Sequence, residues 1–181
     1  MSSTLAITNQ NIRRLTIVVS VVQAVGHVNA CIGALTELLA RGHRIIFVLT
    51  KIYEGKAAKH GYEEHVFQIN SMKEDQTKLD NPGQIFAKLL LDNRIIGPNN
   101  PMEKMRNIVK LFVGPEMLNE YRLYDLEIKK VINLYKPDLF YIDGDLSPSI
   151  YYSNIPWIKN SSCQPLFYRF DPDLQPGCGG K

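Results

Sequence analysis

Apolar runs alternate with amphipathic stretches along this chain, which predicts β-strands that alternate with α-helices. A run rich in β-branched residues, Ile17 to Val22, has the length of a strand that is buried on both faces. Apolar residues then recur at helical spacing from Val28 to Leu39, and a second apolar strand is predicted for Ile45 to Leu49. Gly42 follows the last periodic residue and suits the left-handed conformation that ends a helix. The first 50 residues therefore predict a β-α-β unit.

The same alternation continues to about residue 161. The predicted elements are, in order, a short helix at Glu54 to His60, a third strand at Val66 to Ile69, helices covering 85–90, 102–112 and 115–135, a fourth strand at Leu139 to Ile142, a short helix at 147–153 and a fifth strand at Trp157 to Ser161. Strands that alternate with helices predict a parallel sheet covered by helices on both faces. The expected fold class is therefore α/β with a Rossmann-like sheet.

Two polar sites follow predicted strands. Gly26 and His27 are expected in a loop after the first strand, and Asp143 with Asp145 follows the fourth. Because the carboxyl ends of parallel strands share one edge, where open α/β sheets bind ligands, His27 and Asp143 are expected to lie close together. Taken alone, His27 is equally well explained as a loop histidine, and Asp143 is better explained as a turn or helix-capping acid.

The loop after the first strand matches no phosphate-binding pattern. Neither G-x-G-x-x-G nor G-x-x-x-x-G-K-[ST] is present, and one glycine followed by histidine suits proton transfer better than it suits a phosphate group. A stand-alone flavodoxin-like nucleotide-binding domain is therefore disfavoured.

The predicted helix at 115–135 carries a stripe rich in tyrosine. A core face whose hydroxyls reach the rim is a better interpretation than a pocket lining. The stripe consists of Met117, Tyr121, Tyr124, Ile128, Val131 and Tyr135.

The amino-acid composition is typical of an ordinary globular protein. Its 181 residues fit one domain, and 45% hydrophobic with 22% charged residues excludes a disordered protein. A net charge of +3 from scattered basic residues gives no argument for nucleic acid as a partner.

The cysteines argue against disulfide and zinc chemistry. Cys31, Cys163 and Cys178 are odd in number and form no C-x-x-C motif, so no metal site is expected and a cytoplasmic location is predicted. Cys31 is best explained as a small core residue. No stretch approaches the roughly 20 apolar residues that a transmembrane helix needs.

Three longer strings carry a more specific signal. They read VGHVNACIGALTELLARGHRIIFVL, KHGYEEHVF and KPDLFYIDGDLSPSIYYSNIPWIKNSSCQPL. Together they resemble the N-terminal half of UDP-dependent glycosyltransferases, in particular those of mites and other arthropods, over about residues 14 to 170.

This resemblance implies a two-domain fold of the GT-B type. The N-terminal domain would hold a small lipophilic acceptor and the C-terminal domain the UDP-sugar, which is a co-substrate, so no further cofactor is expected. It divides the chain into a flexible N-terminus (1–13), a Rossmann-like acceptor domain (14–165) and a truncated linker (166–181). The donor domain is then absent, and the isolated chain is expected to be inactive.

The resemblance also assigns roles to residues. His27 is the expected general base and Asp143 its supporting acid, with Asp145 as the fallback. The expected reaction is inverting sugar transfer to an acceptor hydroxyl, in a detoxifying enzyme. The alternative is a non-catalytic binding module or an antigenic truncated product. Candidate acceptor-binding residues are Gly26, Phe86, Leu90, Phe112, Met117 and Asp145, although a core role is equally open for the four apolar ones.

Overall fold

A five-stranded parallel sheet forms the centre of the protein. The structure is a computed structural model that describes residues 13–68 and 82–162. The strands are β1 (Thr16–Val21), β2 (Arg44–Thr50), β3 (Glu63–Phe67), β4 (Leu139–Asp143) and β5 (Trp157–Asn160). Their order across the sheet is β3-β2-β1-β4-β5, and every neighbouring pair is parallel. The predicted α/β fold with a Rossmann-like sheet is confirmed.

Helices connect the strands as the alternation predicts. They are α1 (Val25–Ala40), α2 (Pro82–Asp92), α3 (Pro101–Val113), α4 (Pro115–Tyr135) and α5 (Pro148–Tyr151), with 3₁₀ turns at Lys51–Tyr53 and Ala58–His60. Among the described residues, no helix is both long and apolar enough to cross a bilayer.

Each face of the sheet has its own apolar core. Alternate residues of β1 point to opposite faces, as the period of a strand requires. Val19 packs with Leu35 of α1 on one face, while Val18 packs with Ile128 of α4 on the other. The helices therefore cover both faces of the sheet.

Gly42 ends α1 as predicted. Its φ of +83° is left-handed, its N–H donates to the Leu39 carbonyl at 2.9 Å, and the His43 N–H donates to the Leu38 carbonyl at 3.2 Å. These two bonds form a Schellman motif, which satisfies carbonyls that would otherwise lack partners at the helix end.

The start of α1 differs from the prediction. Gly26 and His27 lie in the first helical turn and not in a loop. Ala24 occupies the N-cap position and makes no side-chain capping bond. The chain therefore lacks the polar capping signal from which an earlier start could be read.

Only the end of the predicted helix at Glu54 to His60 is helical, as the 3₁₀ turn at Ala58–His60. Gly55 has a left-handed φ of +79°. The Glu64 carboxylate accepts backbone N–H groups from Gly55, Ala57 and Ala58 at 2.7, 2.6 and 2.9 Å, so the N–H groups bond to β3 and not to a helical turn.

Other boundaries shift by a few residues. The third strand begins at Glu63, three residues before the prediction, while Ile69 lies outside the described residues. Helix α5 ends at Tyr151 and β5 at Asn160, both earlier than predicted. Residues 1–12 and 163–181 are not described, so the predicted flexible N-terminus, the predicted linker and two of the three cysteines lie partly or wholly outside the structure.

Candidate functional site

The candidate site lies where β1 and β4 end side by side. The strand order changes direction between these two strands, and open α/β sheets bind ligands at such a point. Val21 pairs with Asp143 in register, and the Val22 N–H donates to the Asp143 carbonyl at 2.9 Å. Residues that follow both strands therefore meet at one edge of the sheet.

Gln23 braces the turn between β1 and α1. Its Nε2 donates to the carbonyls of Val21 and Val48 at 2.9 and 3.2 Å, and its Oε1 accepts the Thr50 N–H at 2.8 Å. Tyr53 donates its hydroxyl to the Gln23 carbonyl at 2.9 Å. These bonds fix the direction in which α1 leaves the sheet.

His27 and Asp143 form a hydrogen-bonded pair. His27 Nδ1 lies 2.9 Å from Asp143 Oδ2. The Asp143 side chain is 2% exposed and that of His27 is 19% exposed. A carboxylate on Nδ1 favours the tautomer with its proton there, so Nε2 is the nitrogen suited to accept a proton.

Further donors satisfy the buried Asp143 side chain. The Ser162 N–H donates to Oδ1 at 3.0 Å, and the Ser162 hydroxyl donates to Oδ2 at 2.6 Å. The Cys31 thiol, one helical turn after His27, donates to Oδ2 at a sulfur–oxygen distance of 3.8 Å. A carboxylate buried to this degree requires such partners, because burial removes its water.

Cys31 is therefore more than the small core residue that the sequence predicts. Burial, the charge of Asp143 and the hydrogen bond to it raise the pKa of the Cys31 thiol to about 12. At pH 8 only about one thiol in 10⁴ would be ionised, and the thiolate is the reactive form.

We expect Cys31 to resist iodoacetamide at pH 8 in the native protein and to react once urea unfolds the chain. Mass spectrometry of the peptide that contains Cys31 measures the labelling. Cysteine in a short unfolded peptide, labelled alongside, gives the reference rate. Native Cys31 labelled at that reference rate would contradict both its burial and its raised pKa.

Gly144 lets β4 turn away directly after Asp143. Its φ is +133°, and a Cβ at this position would collide with the Val22 side chain. Gly26 is different, because it lies in the first turn of α1 and an added Cβ would meet nothing within 4 Å.

We expect Gly144→Ala to lower the free energy of unfolding by about 1–3 kcal/mol, through backbone strain and the clash with Val22. Gly26→Ala is the matched control. It should be neutral or stabilise the chain by up to about 1 kcal/mol, since alanine favours a helix. Urea unfolding of both variants measures the difference, and equal effects would show that the conformation of Gly144 is not needed.

Asp145 faces a different partner. Its Oδ2 accepts the Tyr121 hydroxyl of α4 at 2.8 Å. Burial, followed by the bond to Asp145, raises the pKa of Tyr121 to about 12. Of the two acids at the end of β4, the structure thus places Asp143 against His27 and Asp145 against α4.

Helix α4 also holds the chain that follows Asp145. Asp125 accepts the Ser147 hydroxyl and, at 2.8 Å, the Ser149 N–H. Burial works to raise the pKa of Asp125, but these hydrogen bonds, a further one from the Ser149 hydroxyl and the charge of Lys129 together outweigh it, so the pKa is lowered. Tyr124, on the tyrosine stripe, is bonded to Ser20 Oγ of β1 at 2.9 Å. The loop after β4 is therefore anchored to α4, and α4 to the sheet.

Five of the six candidate acceptor-binding residues are spread over four helices, and the sixth, Asp145, lies in the loop after β4. Gly26 is exposed at the start of α1. Phe86 and Phe112, on α2 and α3, are 50% and 39% exposed. Leu90 and Met117, on α2 and α4, are partly buried. Their role in binding an acceptor stays a prediction, as do the catalytic roles of His27 and Asp143.

Ser162 is the site residue that the sequence reasoning missed. It follows the predicted fifth strand, and a strand end beside β4 reaches the same edge of the sheet as Asp143. Strand order was the signal that could have found it. Within residues 13–68 and 82–162, no group of three histidine, cysteine or acidic side chains could hold a metal ion.

No family model matches the chain, and neither does any curated protein. Several solved structures are similar in part. The calicheamicin glycosyltransferase CalG4 is 21% identical, with 73% of this chain and 27% of that chain covered and a TM-score of 0.39. The glycotransferase of kitacinnamycin is 18% identical, with 86% of this chain and 33% of that chain covered and a TM-score of 0.49. The spinosyn rhamnosyltransferase SpnG is 16% identical, with 72% of this chain and 29% of that chain covered and a TM-score of 0.37. All three are glycosyltransferases. This chain spans a third or less of each of them.

Proposed function

We propose that this chain is the acceptor-binding half of a UDP-sugar-dependent glycosyltransferase. The observation that carries the proposal is the bond between His27 Nδ1 and Asp143 Oδ2 at the carboxyl edge of a parallel sheet. That geometry supports a general base, and the resemblance of the sequence to UDP-dependent glycosyltransferases supplies the reaction class. The arthropod subtype, the cytoplasmic location and a detoxifying role belong to the same proposal.

His27 would act as the base through Nε2. A hydroxyl of a small lipophilic acceptor gives its proton to Nε2 as its oxygen forms a bond to the anomeric carbon of the sugar. The bond between that carbon and the UDP oxygen breaks, its electron pair leaves with UDP, and the anomeric configuration inverts.

Asp143 would stabilise the imidazolium that this step creates. Its carboxylate accepts the Nδ1 proton throughout and does not take it, so it acts by charge and by orientation. At 2% exposure its charge is weakly screened by water, which strengthens the attraction to the protonated ring.

The test is a fusion of this chain to the donor domain of a related glycosyltransferase. UDP release is measured with a panel of phenolic acceptors, each assayed with and without the fusion. Release that requires both an acceptor and His27 supports the proposal. A well-folded fusion that releases no UDP would contradict it, and acceptor binding by calorimetry would then favour the non-catalytic binding module.

A further inference from the structure

Ser162 contacts both members of the pair. Its Oγ lies 2.8 Å from His27 Nδ1 and 2.6 Å from Asp143 Oδ2, while these two atoms are themselves 2.9 Å apart. The three atoms form a closed triangle of hydrogen-bond contacts. Two protons at most are available to its three sides: one on the serine hydroxyl and one on Nδ1.

Counting these protons selects one arrangement. If the hydroxyl proton pointed at Nδ1, His27 would carry its own proton on Nε2. Asp143 Oδ2 would then face two lone pairs, those of Nδ1 and Oγ, with no proton between them. With the hydroxyl donating to Oδ2 and the ring proton on Nε2, the lone pairs of Nδ1 and Oδ2 would still face each other at 2.9 Å. In the third arrangement the hydroxyl and Nδ1–H both donate to Oδ2, so each close contact involving the carboxylate holds a proton. The third arrangement is favoured, because a buried carboxylate needs donors.

The backbone of the same residue completes the contact. The Ser162 N–H donates to Asp143 Oδ1 at 3.0 Å, so one residue binds both oxygens of the carboxylate. Strand pairing sets this position, since Asn160 of β5 lies in register with Asp143 and Ser162 follows two residues later. Two donors from one residue fix the orientation of the carboxylate plane.

We propose that Ser162 is a positioning residue that holds the Asp143 carboxylate and thereby keeps the neutral His27 ring protonated at Nδ1. Its effect on catalysis rests on the proposed function. The placement of the protons does not, because it rests on the three distances and on the burial of the Asp143 carboxylate. Ser162 itself takes no proton from the acceptor and forms no bond to the sugar.

The first test reads the His27 tautomer in the 181-residue chain. Long-range ¹H–¹⁵N spectra of the ¹⁵N-labelled protein distinguish a ring protonated at Nδ1 from one protonated at Nε2, and a His27→Asn variant assigns the signals. We expect wild type to be protonated at Nδ1 when neutral. In Ser162→Ala the Nδ1-protonated fraction should fall, and in Ser162→Thr, which keeps a hydroxyl, it should be retained.

Ser149→Ala is the matched control, because it removes a serine hydroxyl from α5 that lies 3.5 Å from the Asp125 carbonyl. It should leave the His27 signals unchanged. Backbone amide spectra show that each variant is folded. A wild-type ring protonated at Nε2 would overturn the proposal, and so would a folded Ser162→Ala chain with the wild-type tautomer.

The second test measures turnover by the two-domain fusion. Ser162→Ala should lower kcat about tenfold with little change in KM, as expected for the loss of one hydrogen bond to a charged group. Ser162→Thr, which keeps a hydroxyl, should retain most of the wild-type kcat. Unchanged kcat in Ser162→Ala would overturn the catalytic part. If no variant transfers sugar but the tautomer responds as stated, the proposed function fails while the positioning by Ser162 stands.

Discussion

Replacing His27 with alanine is expected to lower UDP release by the two-domain fusion about 10²- to 10⁴-fold, the contribution typical of a general base. In the proposed mechanism the imidazole takes the acceptor proton only as the new bond forms, so its loss would raise the barrier of the chemical step. Acceptor binding should change little. Steady-state kinetics measures kcat, and calorimetry measures the affinity of the same variant for the acceptor.

His60→Ala is the control for this experiment. His60 is exposed in the 3₁₀ turn at Ala58–His60, so its removal deletes an imidazole without touching the sheet edge. It should keep the activity of the parent fusion. A fusion that retains full turnover after His27→Ala would exclude His27 as the base, whatever its contact with Asp143.

Asp143→Asn has the second largest expected effect. Asparagine keeps the shape of the side chain but removes the charge that stabilises imidazolium, and its NH₂ group can turn toward Nδ1 and favour the wrong tautomer. We expect kcat to fall by less than for His27→Ala, because Asp143 acts through the imidazole and does not itself take the acceptor proton. The same fusion assay measures the loss.

Asp145→Asn is the matched comparison, since it makes the same chemical change two residues along the chain. Asp145 accepts the Tyr121 hydroxyl, so its substitution should cost less activity than Asp143→Asn. A larger loss for Asp145→Asn would transfer the supporting role to Asp145 and leave the observed pair without a catalytic purpose.

Much of the fold could be predicted because its determinants are local. Helix α4 begins at a proline and carries regular spacing as far as Tyr135, and the observed bounds are Pro115–Tyr135. The end of α1 could also be predicted from Gly42, since few other residues adopt a left-handed φ at low cost. Strand alternation then gave the parallel sheet, which placed His27 and Asp143 at one edge.

The sequence prediction failed where a contact with another segment, or the lack of a capping residue, determines the local structure. Gly55 and its neighbours bond to Glu64 of β3, and no helical period in their own sequence reveals that carboxylate. Helix α1 starts without a polar cap, so apolar spacing alone predicted a start that lies too far along the chain. Ser162 resembles any serine in a loop until β5 is known to pair with β4.

The pairing of β1 with β4 also has a consequence for how the protein acquires its site. His27 and Asp143 are 116 residues apart, and Ser162 is 135 residues from His27. During synthesis the first β-α-β unit leaves the ribosome long before β4 exists. Contacts across such a separation form slowly, because a long loop must close first. The contact between His27 and Asp143 therefore cannot form before β4 has been synthesised and has paired with β1.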